Sequence, residues 1–190
     1  MAAPVLKPPG APLPLFQRLI LRWFGRRMLR RKFTWESAPP SIEATARRML
    51  DAVAGLDAAA LRRPVLVPPM RGLEDSSRYW SPAMVFQHLA ITGEIFTAII
   101  LKLSHREPIT DKRGTADVKP ATDAGAVDVE KFRVLHSDLG KRIGADVGTN
   151  RTGATFRHPW FGPLTAADWY ALFAAHLLIH EKQMELILAA

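Results

Sequence analysis

His176 and His180 stand four residues apart in HLLIHEKQ, residues 176 to 183, within a long apolar stretch. On a helix this spacing stacks two imidazoles on one face, with Cβ atoms about 5 to 6 Å apart. Two neutral rings placed this way can each give a nitrogen lone pair to the same divalent cation. Trp169, Leu172, Phe173, Met184 and Ile187 recur on the same seam, so both rings face the core. An imidazole buried without a hydrogen-bond partner costs on the order of a few kcal/mol, so the pair needs either core partners or an ion. His88 repeats the pattern on a second apolar stripe, between Met84 and Ile91/Ile95. Three core-facing histidines from two helices can form a ligand set with positions left for water or substrate. The bland alternative is three hydrogen-bonded core residues.

The chain has no cysteine. Disulfides, thiolate nucleophiles and Cys-ligated metals are thereby excluded, and any metal falls to His, Asp or Glu. The other histidines carry weaker signals. His105 closes a helix, where a cationic imidazole meets the dipole favourably. His136 lies beside an apolar stripe and is expected at the surface. His158 precedes Pro159 in an aromatic turn, where it either hydrogen-bonds the loop or lines a pocket. Gln183, one turn beyond His180, and Glu94, a turn and a half beyond His88, are candidates for supporting or pocket-lining groups.

Four helical stretches must position these residues. PPSIEATARRMLDAVAGL opens with Ser41 as a candidate N-cap, and Ile42, Ala46, Met49, Leu50 and Val53 follow at helical spacing. A short helix around 57 to 62 leads into a Pro-rich loop. SPAMVFQHLAITGEIFTAIILKL starts with Ser81 as N-cap and Pro82 at the first helical position, where its missing N–H costs nothing. DVEKFRVLHSDLGKRIGAD carries Val129, Phe132, Leu135, Leu139 and Ile143 on a stripe, predicting one continuous third helix. The last stretch follows a predicted Gly–Pro turn and opens at Thr165, with Asp168 three residues on to complete a capping box. No segment alternates convincingly as a strand. The expected fold is therefore all-α, a four-helix bundle over residues 41–190.

Residues 1–40 form a Pro-rich, basic leader. Five prolines fall within the first 14 residues, which forbids helix there. The net charge is +8, yet residues 1–36 alone contribute +7, so the body is almost neutral and no nucleic-acid partner is predicted. Residues 15–33 pattern as an imperfect basic amphipathic helix, with Phe16, Ile20, Trp23, Phe24 and Met28 on one face and Arg18, Arg22 and Arg26 opposite. Such a helix suits docking on its own domain, docking on a second subunit as in a homodimer, or lying in a membrane interface. No window of 18 uninterrupted apolar residues predicts a membrane span. A cytoplasmic location is expected, peripheral at the membrane if the leader binds lipid.

WSPAMVFQHL around His88, together with HPWFGPLTAADWYALFAAHLLIHEKQ from His158 to Gln183, resembles the DinB-like superfamily, closest to an uncharacterised branch. The resemblance implies an up-down-down-up bundle with a divalent metal held by His88, His176 and His180. Relatives often carry a further histidine directly after the last ligand, where this chain has Glu181. Characterised members include transferases and isomerases that use low-molecular-weight thiols. Two function classes follow. One is a metal-dependent transferase or hydrolase acting on a small-molecule substrate or thiol, with zinc, nickel or iron all compatible with three imidazoles. The other is a non-catalytic binding or scaffold bundle, with the basic leader docking to a membrane surface or a partner.

Overall fold

The computed structural model describes residues 4–11, 19, 21–110, 113–150 and 152–190, with the backbone alone at 22 and 23. The prediction of helix from residue 15, with Phe16, Arg18 and Ile20 on its faces, lies outside the described residues. The leader contributes a π-helical turn, Leu21–Gly25, running into α1, Arg26–Lys32. The bundle consists of α2 (Ala38–Val53), α4 (Pro82–His105), a third rod made of α5 (Ala126–His136) and α6 (Leu139–Val147), and α7 (Ala166–Leu188). A one-turn helix α3, Ala58–Arg62, follows α2 and is capped by the Asp57 carboxylate.

Side-chain contacts fix the direction of each helix. Trp35 and Arg48 meet Tyr170 and Glu181, so α2 and α7 run parallel. Phe86 packs on Phe132, and Gly93 lies against Leu135 and His136, so α4 and α5 are parallel as well. His88 meets His176 and His180 whereas Phe96 meets Trp169 and Phe173, so α4 and α7 are antiparallel. The result is the up-down-down-up arrangement, with the helices ordered around the core as α2, α7, α4 and α5/α6. α4 is long and apolar enough by composition to cross a membrane, but here it is a central helix covered by its neighbours.

The caps at the two site-bearing helices are those expected. Ser81 accepts from Met84 N with Pro82 at the first position of α4, and Thr165 and Asp168 exchange the two capping-box bonds at the start of α7. Other boundaries differ from expectation. α2 begins at Ala38, three residues before Ser41, because Pro39 and Pro40 sit in the first turn, where no N–H is needed. The third rod is broken at Ser137 and Asp138. Asp138 leaves helical geometry at φ −134°, and the Ser137 hydroxyl bonds back to the Val134 carbonyl, a competition with the helix ladder that Ser and Asp favour.

Two short antiparallel hairpins are also present. Val65–Leu66 (β1) pairs with Tyr79–Trp80 (β2), and Thr155–His158 (β3) pairs with Gly162–Thr165 (β4). The turn before α7 is therefore formed by residues 159–161, and Gly162 and Pro163 belong to β4 instead of making the turn. His158 organises it: its Nδ1 accepts from the backbone N–H groups of Trp160 and Phe161.

The leader docks on its own domain. Arg30 makes a two-point ion pair with the fully buried Asp168, and Phe33 is buried in the core. Further upstream, Lys7 N–H and Gly10 N–H donate to the carboxylates of Asp75 and Glu74.

Candidate metal centre

His88, His176 and His180 come together where α4 crosses α7. The His176 Nε2 lies 3.2 Å from the Nε2 of His88 and 3.2 Å from that of His180. All three ligand atoms fall within 4.8 Å of one another. Two imidazole nitrogens at about 2.0 to 2.1 Å from one ion are separated by about 3.0 to 3.4 Å, so the spacing fits a shared cation.

The partners of the opposite ring nitrogens set which atom carries each proton. His88 Nδ1 lies 2.7 Å from the Val118 carbonyl, which can only accept, so that nitrogen is N–H and Nε2 holds a lone pair. Gln183 does the same for His180. Its amide Nε2 donates to the Ser77 carbonyl at 2.7 Å, which turns its Oε1 toward His180 Nδ1, also at 2.7 Å. Two lone pairs thus face His176 Nε2, which can offer a proton to one of them at best. His176 Nδ1 is buried without a protein partner. Three nitrogens competing for so few protons are an unfavourable core network and a favourable ligand set.

Electrostatics points the same way. Burial, reinforced by the nearby Lys119, pushes His88 down to about 4. Burial and the neighbouring imidazoles hold His176 and His180 well below the ordinary histidine range. All three are neutral at pH 7, the form in which an imidazole binds metal.

Two loops roof the cluster. Trp80 stacks on the His180 ring, with 5.8 Å between centroids, and tilts against His88 at 5.0 Å. Lys119 joins the loops, donating to Glu74 and Ser77, with its ammonium over the Trp80 ring. Gln87 anchors the segment beyond Val118 by accepting from Ala121 N–H and donating to Asp128. Val118 and Lys119 had no recognisable signal in the sequence, because loop residues reach a site by tertiary folding and not by period; Trp80 opens the WSPAMVFQHL segment, but nothing in its spacing placed it over the rings.

The remaining candidates divide. Gln183, fully buried, is the orienting partner of His180. Glu94 is solvent-exposed and is not part of the ligand group. His158 packs on Trp169 outside that group, and because its Nδ1 accepts two backbone bonds its proton sits on Nε2. His105 pairs with Asp146 at the end of α4. His136 is buried, not at the surface as expected. Gly93 on α4 has no side chain, which leaves room for this stretch of α5: a Cβ there would come within 2.8 Å of Leu135 and 3.3 Å of the His136 ring. Glu181, in place of the relatives' extra histidine, turns away and clamps Arg48 of α2 through two bonds.

Two predictions arise here. Gln183→Leu removes the acceptor that orients His180, and metal affinity falls roughly 10- to 100-fold while the helical far-UV spectrum persists; competition with a chromophoric chelator measures it. The second concerns acid. Burial holds His136 at about 4, below the 6.5 of the unfolded chain. The unfolded state therefore binds the proton first as pH falls, so stability present above pH 6.5 is lost between about 6.5 and 4. At about 1.4 kcal/mol per pKa unit, His136 alone withdraws on the order of 3 kcal/mol. Urea midpoints of metal-free protein at pH 7 and 4.5 check this, and His136→Leu narrows the difference between them.

The arrangement defines a class: a four-helix bundle with a buried tri-histidine group between its second and fourth rods. The profile of the DinB superfamily matches residues 41–184, and the chain belongs to that family. Among solved structures it is similar to TT2238, described as a four-helix bundle protein, with 22% identity and a TM-score of 0.50 over 80% of this chain and 98% of that one. That likeness concerns the fold. No curated protein matches the chain.

Proposed function

We propose that the chain binds one divalent metal ion through Nε2 of His88, His176 and His180, and that it acts as a metal-dependent transferase or hydrolase on a small-molecule substrate. The observation that carries this is the tautomer set: Val118 and Gln183 hold protons on the outer nitrogens of two rings and leave lone pairs converging on the third. When bound, a divalent cation supplies Lewis acidity that lowers the pKa of a water or thiol and polarises a carbonyl. The thiol route follows from membership of a family with thiol-using transferases. Zinc, nickel and iron all suit three imidazoles.

The chain's own residues hold, orient and desolvate. α4 and α7 set the ring positions, Val118 and Gln183 fix ring rotation, and Trp80 shields two of the rings. Of the three residues, His176 is the one that is intermediate in burial, while His88 and His180 are buried. Elemental analysis of the purified full chain, after incubation with zinc, nickel or ferrous iron and gel filtration, tests the proposal. One equivalent of a single metal is the expected result; none above background with any of them overturns it.

A further inference from the structure

The leader helix has two unlike sides. Toward the body, Gly25 lies so close to Phe161 that a Cβ would sit 2.6 Å from its ring, Leu29 is half-buried and Phe33 is buried. The Arg30 ion pair with Asp168 secures this side. On the outward side Phe24 and Met28 are 60% and 64% exposed, and Arg27 and Arg31 are exposed beside them. Positions 24, 27, 28 and 31 share one face of a helix. Among the described residues no carboxylate pairs with Arg27 or Arg31. Two large apolar side chains set in unpaired arginines, on the segment that carries almost all of the net charge, form the pattern of a helix lying in a lipid interface.

We propose that this outward face docks on an anionic membrane surface, with Phe24 and Met28 in the acyl boundary and Arg27 and Arg31 on the headgroups. The Arg30–Asp168 clamp stays intact, so the bundle is carried to the membrane as one body. Charge complementarity selects lipid over a protein partner. Among the described residues the apolar part of this face is Phe24 and Met28, small beside the roughly 800 Å² per partner of a stable protein interface, whereas an anionic bilayer gains from each cation separately. The inference is independent of the metal.

Co-sedimentation of the full chain with phosphatidylcholine vesicles, with and without phosphatidylserine, tests it. The expected result is binding to the serine-containing vesicles alone, weakened by salt. Each arginine near such a surface is worth about fivefold in affinity. Arg27→Gln/Arg31→Gln therefore weakens binding by more than about tenfold, and Phe24→Ser/Met28→Ser does likewise. All four residues are exposed, so unchanged thermal unfolding of the variants confirms that the fold survives. No sedimentation, equal sedimentation with both lipids, or binding that neither variant reduces would overturn the proposal. So would light scattering that shows a dimer dissolved by Phe24→Ser/Met28→Ser, since the face would then be an interface between copies.

Discussion

Asp168→Ala is expected to lower the unfolding free energy by about 3 kcal/mol. The carboxylate is fully buried and serves three elements at once. It accepts from the backbone N–H and hydroxyl of Thr165, closing the capping box of α7, and it holds Arg30 of the leader. Loss of an N-cap partner costs about 1 kcal/mol, and charge-assisted bonds contribute about 1.5 to 3 kcal/mol. Arg30 is half-exposed and can return to water, which keeps the total below that of a fully buried broken pair. Arg30→Ala leaves the capping box in place but takes the counter-ion from a fully buried carboxylate, and costs about 2 kcal/mol. Urea unfolding of the three proteins measures both, and equal losses in the two variants would show that the cap contributes nothing beyond the ion pair.

The second large effect is at the metal centre. His176→Ala/His180→Ala lowers affinity for the ion by well over 100-fold, since altering an outer partner alone costs 10- to 100-fold. The same substitution relieves three nitrogens of their competition for protons, so the metal-free double variant loses less stability than two buried ring deletions elsewhere would. The metal-dependent rise in thermal midpoint disappears with it, because a ligand that no longer binds the folded state no longer stabilises it. Thermal scans with and without added metal read this directly. An undiminished metal-induced shift in the double variant would place the ion elsewhere.

Much of this centre was legible in the residues themselves. The four-residue spacing of His176 and His180 and the stripe position of His88 placed three rings in the core, and Ser81, Pro82, Thr165 and Asp168 marked where both helices begin. Those are local signals, carried by backbone donors and side-chain period. Part of what failed to show depended on partners distant in sequence, and part on local signals too weak to read. His136 reads as a surface residue until Gly93 of another helix is known to leave room for its ring. The break at Ser137 and Asp138 is hidden because Phe132, Leu139 and Ile143 keep one stripe across it. Strands β3 and β4 are too short for alternation to stand out, and Arg30 gives no hint that its counter-ion lies 138 residues away. Glu94 kept a helical distance from His88 that suited a pocket group, yet its side chain faces solvent.

X-ray absorption at the metal edge of the loaded protein tests the centre most directly. Three imidazole nitrogens at about 2.0 to 2.1 Å are predicted for the zinc form, with the imidazole scattering falling to a single ring or vanishing in His176→Ala/His180→Ala. An oxygen-only shell, or a shell that the double substitution leaves unchanged, would contradict it.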